Sequence, residues 1–278
     1  MDKLHLQKIA LEIRKGALTA VYTAASGHPG GSLGIAELLA YLYFEEMHVD
    51  PKNPKDPDRD RFVLSKGHTS PALYAALAEK GFFPKEDLKT FRQKDSYLQG
   101  HPDMKHIPGV DMSTGSLGQG ISAACGMALS GKISEKKYRV WTILGDGECE
   151  EGQVWEAAMF AAHYGLNNLC AFVDFNGLQI DGAVTEVMNP TPLDTKFAAF
   201  GWNTLVIDGH DFGQIASAVE AAKRSAKPTA VICKTTKGKG VSYMENVCAW
   251  HGSAPKTEQY EQGMRELEEA EKALLANV

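Results

Sequence analysis

Residues 138–182 have the sequence YRVWTILGDGECEEGQVWEAAMFAAHYGLNNLCAFVDFNGLQIDG, and this segment decides the fold. It opens with an apolar run rich in β-forming residues at 140–144, which ends at the Gly-Asp-Gly sequence 145–147. Apolar residues then recur at helical spacing over 154–162, and a second apolar run follows at 169–173. Uninterrupted apolar runs are typical of strands that are buried on both faces of a sheet. The segment therefore predicts a strand–helix–strand unit with parallel strands.

Two polar side chains follow these strands, because Asp146 comes directly after the first and Asn176 after the second. In an open parallel sheet both lie at the carboxyl edge, where ligands bind. One carboxylate and one amide oxygen are too few for Ca²⁺ but suit Mg²⁺, which also takes water and phosphate oxygens. Each dipeptide alone, Asp146-Gly147 or Asn176-Gly177, is typical of a simple turn. Their pairing at matching strand ends favours a magnesium and phosphate site.

Further strand and helix patterns flank this segment. Short apolar runs predict additional strands at 61–65, 204–207 and 229–233. Helical patterns occur at 4–25, 34–47, 85–93, 121–129, 212–224 and 256–276, and from Ser70 onward. Strands that alternate with helices indicate an α/β fold with a doubly wound, mostly parallel sheet and helices on both faces. We expect one domain over 1–278, in which 256–278 form a C-terminal helical tail with little core content.

The composition excludes several classes of function. The chain has 278 residues, of which 44% are hydrophobic and 23% charged, as in an ordinary globular protein. Its formal net charge of −6 provides no basic surface for nucleic acid. No apolar run is long enough to span a membrane, and the charged N-terminal residues do not resemble a signal peptide. We therefore expect a cytoplasmic protein that binds neither nucleic acid nor membrane.

The cysteines also indicate a cytoplasmic location. There are 5 of them without a CxxC pair, which indicates reduced thiols rather than a disulfide framework or a zinc site. Cys149 lies beside the Gly-Asp-Gly turn and could act as a nucleophile. No histidine base is adjacent to it in the sequence, and this disfavours the role.

Four histidines share an unusual sequence context, since each adjoins a glycine in a segment of loop-forming residues. They are His28, His68, His101 and His251. Packing explains imidazoles in such loops poorly, whereas binding residues concentrate there and neutral imidazoles hydrogen-bond to hydroxyl groups. No Cys/His spacing typical of zinc is present. We interpret the remaining histidines as structural: His5, His48, His106, His163 and His210.

The glycine-rich sequence STGSLGQG, residues 113–120, precedes a predicted helix and could be taken for a dinucleotide-binding loop. Its glycines fall as GxxGxG rather than GxGxxG, and no apolar strand directly precedes them. The GxxxxGK[ST] pattern of P-loop proteins is absent from the sequence as well. Neither nucleotide-binding class is favoured.

The Gly-Asp-Gly turn, followed by an asparagine after the next strand, resembles the signature of thiamine diphosphate enzymes. Other motifs resemble, in order, loops of the first domain of transketolase: SGHPGGSLG (26–34), SKGH (65–68), GHPD (100–103), STGSLGQG (113–120) and WHGSAP (250–255). The likeness covers almost the whole chain. It implies the thiamine diphosphate-binding fold, with thiamine diphosphate and Mg²⁺ as cofactors and sugar phosphates as substrates.

The resemblance implies roles for individual residues. Asp146 and Asn176 would bind Mg²⁺ together with the backbone carbonyl of Leu178. The cofactor diphosphate would contact His68 and His251, and it would accept a hydrogen bond from the Gly147 amide.

Other implied roles concern the substrate and the cofactor rings. His28 and His101 would bind the hydroxyl and carbonyl end of a ketose donor, which His251 would also face. Gly115 and Leu117 would line the aminopyrimidine and thiazolium rings. Glu151 is either a solvated acid near a helix start or, by resemblance, one of two glutamates that pair across a subunit interface.

The resemblance also implies a partner, because transketolase has pyrimidine-binding and C-terminal domains that this sequence lacks. We expect the N-terminal subunit of a split transketolase, active with a separate C-terminal subunit in an α2β2 assembly; an engineered truncation is the alternative. Other classes left open are a deoxyxylulose phosphate synthase-like protein, the α subunit of a 2-oxoacid dehydrogenase and a non-catalytic regulatory homologue. Xylulose 5-phosphate is the default donor, while sulfonated and branched ketoses remain open.

Overall fold

Parallel strands form the central sheet of the computed structural model, which describes residues 1–276. They are β1 (Arg61–Leu64), β2 (Val140–Gly145), β3 (Leu169–Phe175), β6 (Asn203–Asp208) and β7 (Thr229–Lys234). A separate antiparallel hairpin consists of β4 (Leu178–Gln179) and β5 (Gly182–Ala183). The main sheet has the order β1-β2-β3-β7-β6, with every neighbouring pair parallel. The predicted α/β sheet is confirmed.

Helices surround this sheet. They are α1 (Lys3–Ala24), α2 (Pro29–Leu33), α3 (Ala36–Tyr41), α4 (Ser70–Lys80), α5 (Gln119–Ile133), α6 (Gly152–His163), α7 (Val184–Val187), α8 (Leu193–Ala199), α9 (Phe212–Arg224) and α10 (Thr257–Ala276). Single-turn 3₁₀ segments at Gly67–Thr69, Gly147–Glu150 and Cys248–His251 carry residues of the site described below. No helix within residues 1–276 is both long and apolar enough to cross a membrane.

The apolar runs are continuous because each strand packs against helices on both faces of the sheet. Trp141 and Phe172 belong to the core beneath α1, α3, α4 and α9. Their neighbours Val140 and Ala171 point to the opposite face and belong to the core beneath α5, α6 and α8. Alternate residues of one strand therefore fill two different cores, so hydrophobic burial fixes the register.

The strand register places the predicted polar residues together. Gly145, the last residue of β2, pairs with Asp174 of β3. Asp146 thus follows β2 at the level where β3 ends, and Asn176 lies immediately beyond β3. The prediction that Asp146 and Asn176 share the carboxyl edge of the sheet is confirmed by this geometry.

The segment 26–34 differs from its prediction, since we expected it to separate one helix from another that begins at residue 34. Instead Pro29 starts the short helix α2, as its fixed φ angle favours at a first helical position. Gly30 and Gly31 serve close packing here rather than helix termination. A Cβ atom at Gly30 would lie 2.8 Å from the Trp250 carbonyl oxygen, and one at Gly31 would lie 2.9 Å from Thr69.

The C-terminal helix packs on α1 through a few side chains. The ring of Tyr260 stacks on Tyr22 of α1 with centroids 4.0 Å apart, and Leu267 is fully buried. Lys15 of α1 pairs with Glu271 at 2.5 Å. Only Gly263 and Leu267 of this helix are buried, so its core content is small, as expected; residues 277–278 of the predicted tail lie outside the described residues.

Candidate active site

A cleft of about 460 Å³ lies at the carboxyl edge of the sheet. Ten of the predicted site residues line it: His28, His68, Gly115, Leu117, Asp146, Gly147, Glu151, Asn176, Leu178 and His251. His101 is exposed and adjoins this lining, because a Cβ atom at Gly115 would be 3.0 Å from its ring. Residues widely separated in the chain are thus collected at one edge, as expected for a ligand site in an open α/β sheet.

Hydrogen bonds join the loops that follow β2 and β3. Asp146 Oδ2 accepts from the Gly177 amide at 2.6 Å, and Oδ1 accepts from the Gly147 amide at 2.8 Å. Asn176 Oδ1 accepts from the Leu178 amide at 3.1 Å. The three predicted metal ligands therefore belong to one connected turn.

Asp146 is a buried acid without a lysine or arginine partner within ion-pair distance in residues 1–276. Burial, together with the nearby Asp174 carboxylate, raises the pKa of Asp146 to about 6. A cation would offset this unfavourable charge. No cluster of three or more His, Cys, Asp or Glu side chains suited to a metal occurs in the described residues. The donors are one carboxylate, one amide and one carbonyl, a set that suits Mg²⁺ completed by phosphate oxygens and water.

A buried ion pair supports this turn from below. Lys66 Nζ lies 2.5 Å from Asp174 Oδ2 and donates to the Gly31 carbonyl at 3.1 Å. Asn176 Nδ2 donates to the same Asp174 oxygen at 2.9 Å. Burial opposes ionisation of Asp174, but the Lys66 ammonium holds its pKa below the ordinary value. The ion pair fixes the orientation of the Asn176 amide. Its Nδ2 is bound to Asp174, so Oδ1 faces the Leu178 amide.

Lys237 is a site residue that no sequence motif revealed. Its Nζ donates to the Leu178 carbonyl at 3.0 Å and lies 3.1 Å from His251 Nδ1. The side chain is only 2% exposed, and no carboxylate lies within ion-pair distance of it in residues 1–276. Burial and the neighbouring Lys66 lower its pKa. A buried ammonium group of this kind favours binding of an anion in the cleft.

Three of the predicted histidines form a cluster. The ring centroids of His28 and His68 are 5.1 Å apart, those of His28 and His251 are 5.4 Å apart, and His68 stacks on His251 at 5.1 Å. Burial is the main cause that lowers the pKa of His28 to about 4 and of His251 to about 3, and it holds the pKa of His68 well below its usual value. The cluster is therefore neutral near pH 7.

Neutral imidazoles can donate or accept hydrogen bonds but carry no charge for a diphosphate. His28 Nδ1 is buried without a hydrogen-bond partner in the described residues. An unsatisfied buried polar atom is costly, and a hydroxyl group of a ligand would satisfy it. Among the lysines of the cleft, Lys66 is paired with Asp174, whereas Lys237 has no carboxylate partner within residues 1–276.

Arg92 connects the segments that carry His28 and His101, and no motif pointed to it. Its Nη1 donates to the Ser26 hydroxyl at 2.7 Å. A Cβ atom at Gly100 would lie 2.6 Å from Arg92 Nε. Burial first, and the Arg92 charge second, lower the pKa of His101. Arg92 therefore contributes to keeping both imidazoles neutral.

Glu148 is another unpredicted residue, and it joins three loops of the cleft. Its Oε1 accepts from the Ser65 hydroxyl at 2.5 Å and from the Gly118 amide at 2.9 Å, while Oε2 accepts from the Gly145 amide at 3.0 Å. Burial raises its pKa, although these donors act in the opposite direction. The loops after β1 and β2 and the loop before α5 thus meet at one carboxyl group.

Two further predictions concern residues next to Glu148. Glu151 precedes α6 and is exposed at the rim of the cleft, where its Cβ would lie 3.0 Å from a Cβ atom at Gly118. Cys149 is buried, and burial with the neighbouring carboxylates raises the pKa of its thiol well above the usual value. Its thiolate is therefore not available near pH 7, which agrees with the disfavoured nucleophile role.

Comparisons with known proteins agree with this geometry. The family model described as transketolase, thiamine diphosphate binding domain, matches residues 6–271. The chain is 49% identical over 268 residues to a 6-deoxy-6-sulfo-D-fructose transketolase subunit of Clostridium sp. (strain MSTE9), covering 96% of this chain and 98% of that one. It is 43% identical to an apulose-4-phosphate transketolase subunit of Phocaeicola vulgatus, covering 92% of this chain and 91% of that one.

Longer proteins match over part of their length. Mouse transketolase is 43% identical, with 94% of this chain and 42% of the mouse protein covered. The crystal structure of transketolase from Campylobacter jejuni superposes with a TM-score of 0.91 at 35% identity, covering 96% of this chain and 43% of that one.

Proposed function

Because the chain belongs to the transketolase thiamine diphosphate-binding family, we propose that it is the diphosphate-binding subunit of a two-chain transketolase. In this proposal it forms one diphosphate-binding domain that carries thiamine diphosphate with Mg²⁺. It works with a separate C-terminal subunit in an α2β2 assembly and transfers a two-carbon ketol unit between sugars. The single observation that carries the proposal is the cleft in which a buried carboxylate, a buried lysine and neutral histidines meet.

The donor set of the cleft supports the cofactor. When bound, thiamine diphosphate supplies the nucleophilic carbon for ketol transfer. Asp146, Asn176 and the Leu178 carbonyl would hold Mg²⁺. The diphosphate would be bound by these further groups: Lys66, His68, the Gly147 amide, Lys237 and His251. A bound cation together with the lysine ammonium groups would neutralise a diphosphate charge that the overall acidic chain does not otherwise attract.

The neutral histidines support a role in sugar binding. His28 and His101, with His251, would orient the hydroxyl and carbonyl end of the ketose, because uncharged imidazoles can accept or donate as each hydroxyl requires. Gly115 and Leu117 would line the rings of the cofactor. Glu151, exposed at the rim, would meet a residue of another subunit.

Two observations support the separate partner. The relatives named as transketolase subunits match this chain over nearly their whole length, whereas mouse transketolase is covered for 42%. Helix α6, which begins beside the cleft at Glu151, exposes apolar side chains at Met159 and Phe160, as does Tyr164 directly after it. Such a surface suits a protein interface.

The same two subunit relatives support the substrate class. One is named for 6-deoxy-6-sulfo-D-fructose and the other for apulose 4-phosphate, so one name carries a sulfonated sugar and the other a phosphorylated one. We infer that the donor is a ketose with an anionic end, and that the partner contributes the groups that distinguish phosphate from sulfonate. The five cysteines are free thiols, which suits a cytoplasmic location.

Calorimetry tests the metal and cofactor assignment. Thiamine diphosphate is titrated into the complex of this chain with the partner that copurifies with it, with and without MgCl₂. We expect Mg²⁺-dependent binding that Asp146→Ala abolishes and that Asp58→Ala, at an exposed aspartate before β1, leaves unchanged. Unchanged affinity in Asp146→Ala would contradict the assignment. In a separate assay of the complex, a panel of ketoses and pyruvate identifies the donor.

A further inference from the structure

The loop that follows β7 carries Lys237, and a partly buried histidine accepts a hydrogen bond from the backbone at its start. The amide of Thr236, the residue before Lys237, donates to His210 Nε2 at 2.9 Å. His210 follows β6 and is remote from Thr236 in the sequence, so this bond connects the ends of two neighbouring strands. No sequence pattern connects this histidine with the cleft.

From His210, a chain of hydrogen-bonded side chains continues to α3 and α1. His210 Nδ1 lies 3.0 Å from Glu37 Oε2, and the same oxygen accepts from Arg14 Nη2 at 2.6 Å. Arg14 Nε in turn donates to the Leu33 carbonyl at 3.1 Å. Arg14 is 4% exposed and Glu37 is 8% exposed. The network therefore runs without interruption from α1, through α3, to the residue beside Lys237.

The network selects one tautomer of the His210 ring. Burial would favour a neutral acid at Glu37, but Arg14 and His210 outweigh it and lower its pKa to about 2. An ionised carboxylate can only accept, so the proton between Glu37 and His210 belongs to Nδ1. In the neutral ring Nε2 then carries a lone pair, as an acceptor for the Thr236 amide requires.

We propose that His210 is a positioning residue that sets the direction of Lys237 through the backbone at Thr236. It touches neither cofactor nor substrate. With Thr236 fixed, the Lys237 ammonium reaches both the Leu178 carbonyl and His251, which come from different loops of the cleft. The inference rests on the proposed function only for the identity of the anion that Lys237 meets.

Contacts at the other end of the loop limit the effect of losing His210. The Gly238 amide donates to the Gly30 carbonyl at 2.8 Å. Gly238 has φ +78°, and a Cβ atom there would lie 2.4 Å from the Met244 carbonyl oxygen. These close backbone contacts remain when the imidazole is removed. A change at His210 therefore shifts Thr236 and Lys237 locally and leaves the rest of the loop in place.

Nuclear magnetic resonance of the full chain without cofactor gives the first test. Long-range proton–nitrogen correlation of the His210 ring distinguishes a proton on Nδ1 from one on Nε2. We expect the proton on Nδ1 and slow hydrogen exchange of the Thr236 amide. A neutral ring protonated at Nε2, or a Thr236 amide that exchanges like an exposed one, would overturn the proposal even if no variant can be purified.

Variants give the second test, in complex with the partner. His210→Ala removes the acceptor, whereas His210→Gln can accept from Thr236 with its oxygen and donate to Glu37 with its amide. We expect His210→Ala to weaken thiamine diphosphate binding about tenfold, as for other residues that orient a binding group indirectly, and to speed exchange at Thr236. We expect His210→Gln to restore most of the affinity and most of the slow exchange at Thr236. His5→Ala, at an exposed histidine of α1, should change neither property.

Equal affinity and equal Thr236 exchange in wild type and folded His210→Ala would contradict the positioning role. Failure of the proposed function is recognised separately, because wild-type protein would then bind no thiamine diphosphate. The tautomer and the exchange of Thr236 are measured without cofactor and remain decisive for His210 in that case.

Discussion

At the scale of single residues, the positive charge and the neutral hydrogen-bonding groups of the cleft come from different side chains. The buried histidines are neutral, whereas Lys66 and Lys237 carry the positive charge. Burial opposes the charged form of both side-chain types, and the ordinary pKa of an imidazole lies much closer to pH 7 than that of a lysine. A diphosphate would therefore be held by ammonium groups and metal, and a sugar hydroxyl by imidazoles.

Removal of the Lys237 charge tests this division. Lys237→Met keeps the length of the side chain but removes the ammonium group that contacts the Leu178 carbonyl and His251. A hydrogen bond with a charged group is worth about 1.5–3 kcal/mol, so thiamine diphosphate affinity should fall roughly 10- to 100-fold. Calorimetry on the complex measures the change.

The matched control is Lys239→Met, which removes a half-exposed lysine from the same loop. We expect it to leave cofactor affinity unchanged. If both variants bind as wild type does, the cofactor charge is met elsewhere and the role proposed for Lys237 is wrong.

His28 should produce a pH dependence of stability. Its pKa in the folded chain, about 4, lies below the ordinary value of 6.5, so the unfolded chain binds the proton more readily. The contribution of neutral His28 is therefore complete above pH 6.5 and is lost as the pH falls toward 4. Chemical denaturation of wild type and His28→Gln between these values measures it.

We expect the free energy of unfolding to fall more steeply with decreasing pH in wild type than in His28→Gln. Parallel pH profiles for the two proteins would show that His28 titrates normally and is not held neutral by burial.

At the scale of elements, the strand ends could be predicted because their determinants are local. An apolar run that stops at Gly-Asp-Gly gives the end of β2, and the crossover rule then places Asp146 and Asn176 at one edge. Lys237 and Glu148 could not be predicted in this way, because their contacts come from segments distant in sequence. The same holds for α2, where glycines that usually end a helix allow close packing instead.

Glu148 should be essential to the arrangement of three loops. Glu148→Ala leaves the Ser65 hydroxyl and the Gly118 and Gly145 amides without their acceptor in the interior. Each unsatisfied buried donor costs about 1–3 kcal/mol, partly relieved by water, so the free energy of unfolding should fall by roughly 2–5 kcal/mol. Urea denaturation measures this loss.

Glu156→Ala, at an exposed glutamate of α6, serves as the control and should change stability by less than about 0.5 kcal/mol. Equal stability of Glu148→Ala and Glu156→Ala would mean that the three loops keep their positions without the carboxyl group.

At the scale of the whole molecule, the sequence motifs identified the family and the α/β sheet, and both are confirmed. Helix α10 has the small core content that its charged sequence indicates, whereas the contact partners of its few packed side chains, such as Tyr22 for Tyr260, could not be predicted from the sequence. The proposed need for a partner involves surfaces that belong to another chain. Neither the sequence nor the fold of this chain can therefore establish that need alone. The cleft as it stands offers groups for the metal and diphosphate end of the cofactor.

A ketol-transfer assay tests most directly whether the enzyme is divided between two chains. The purified chain is assayed alone and after mixing with the partner that copurifies with it. We predict no transfer by the chain alone, and activity in the mixture that requires both thiamine diphosphate and Mg²⁺. Transfer at full rate by the isolated chain, with no second polypeptide present, would contradict a catalyst divided between two chains.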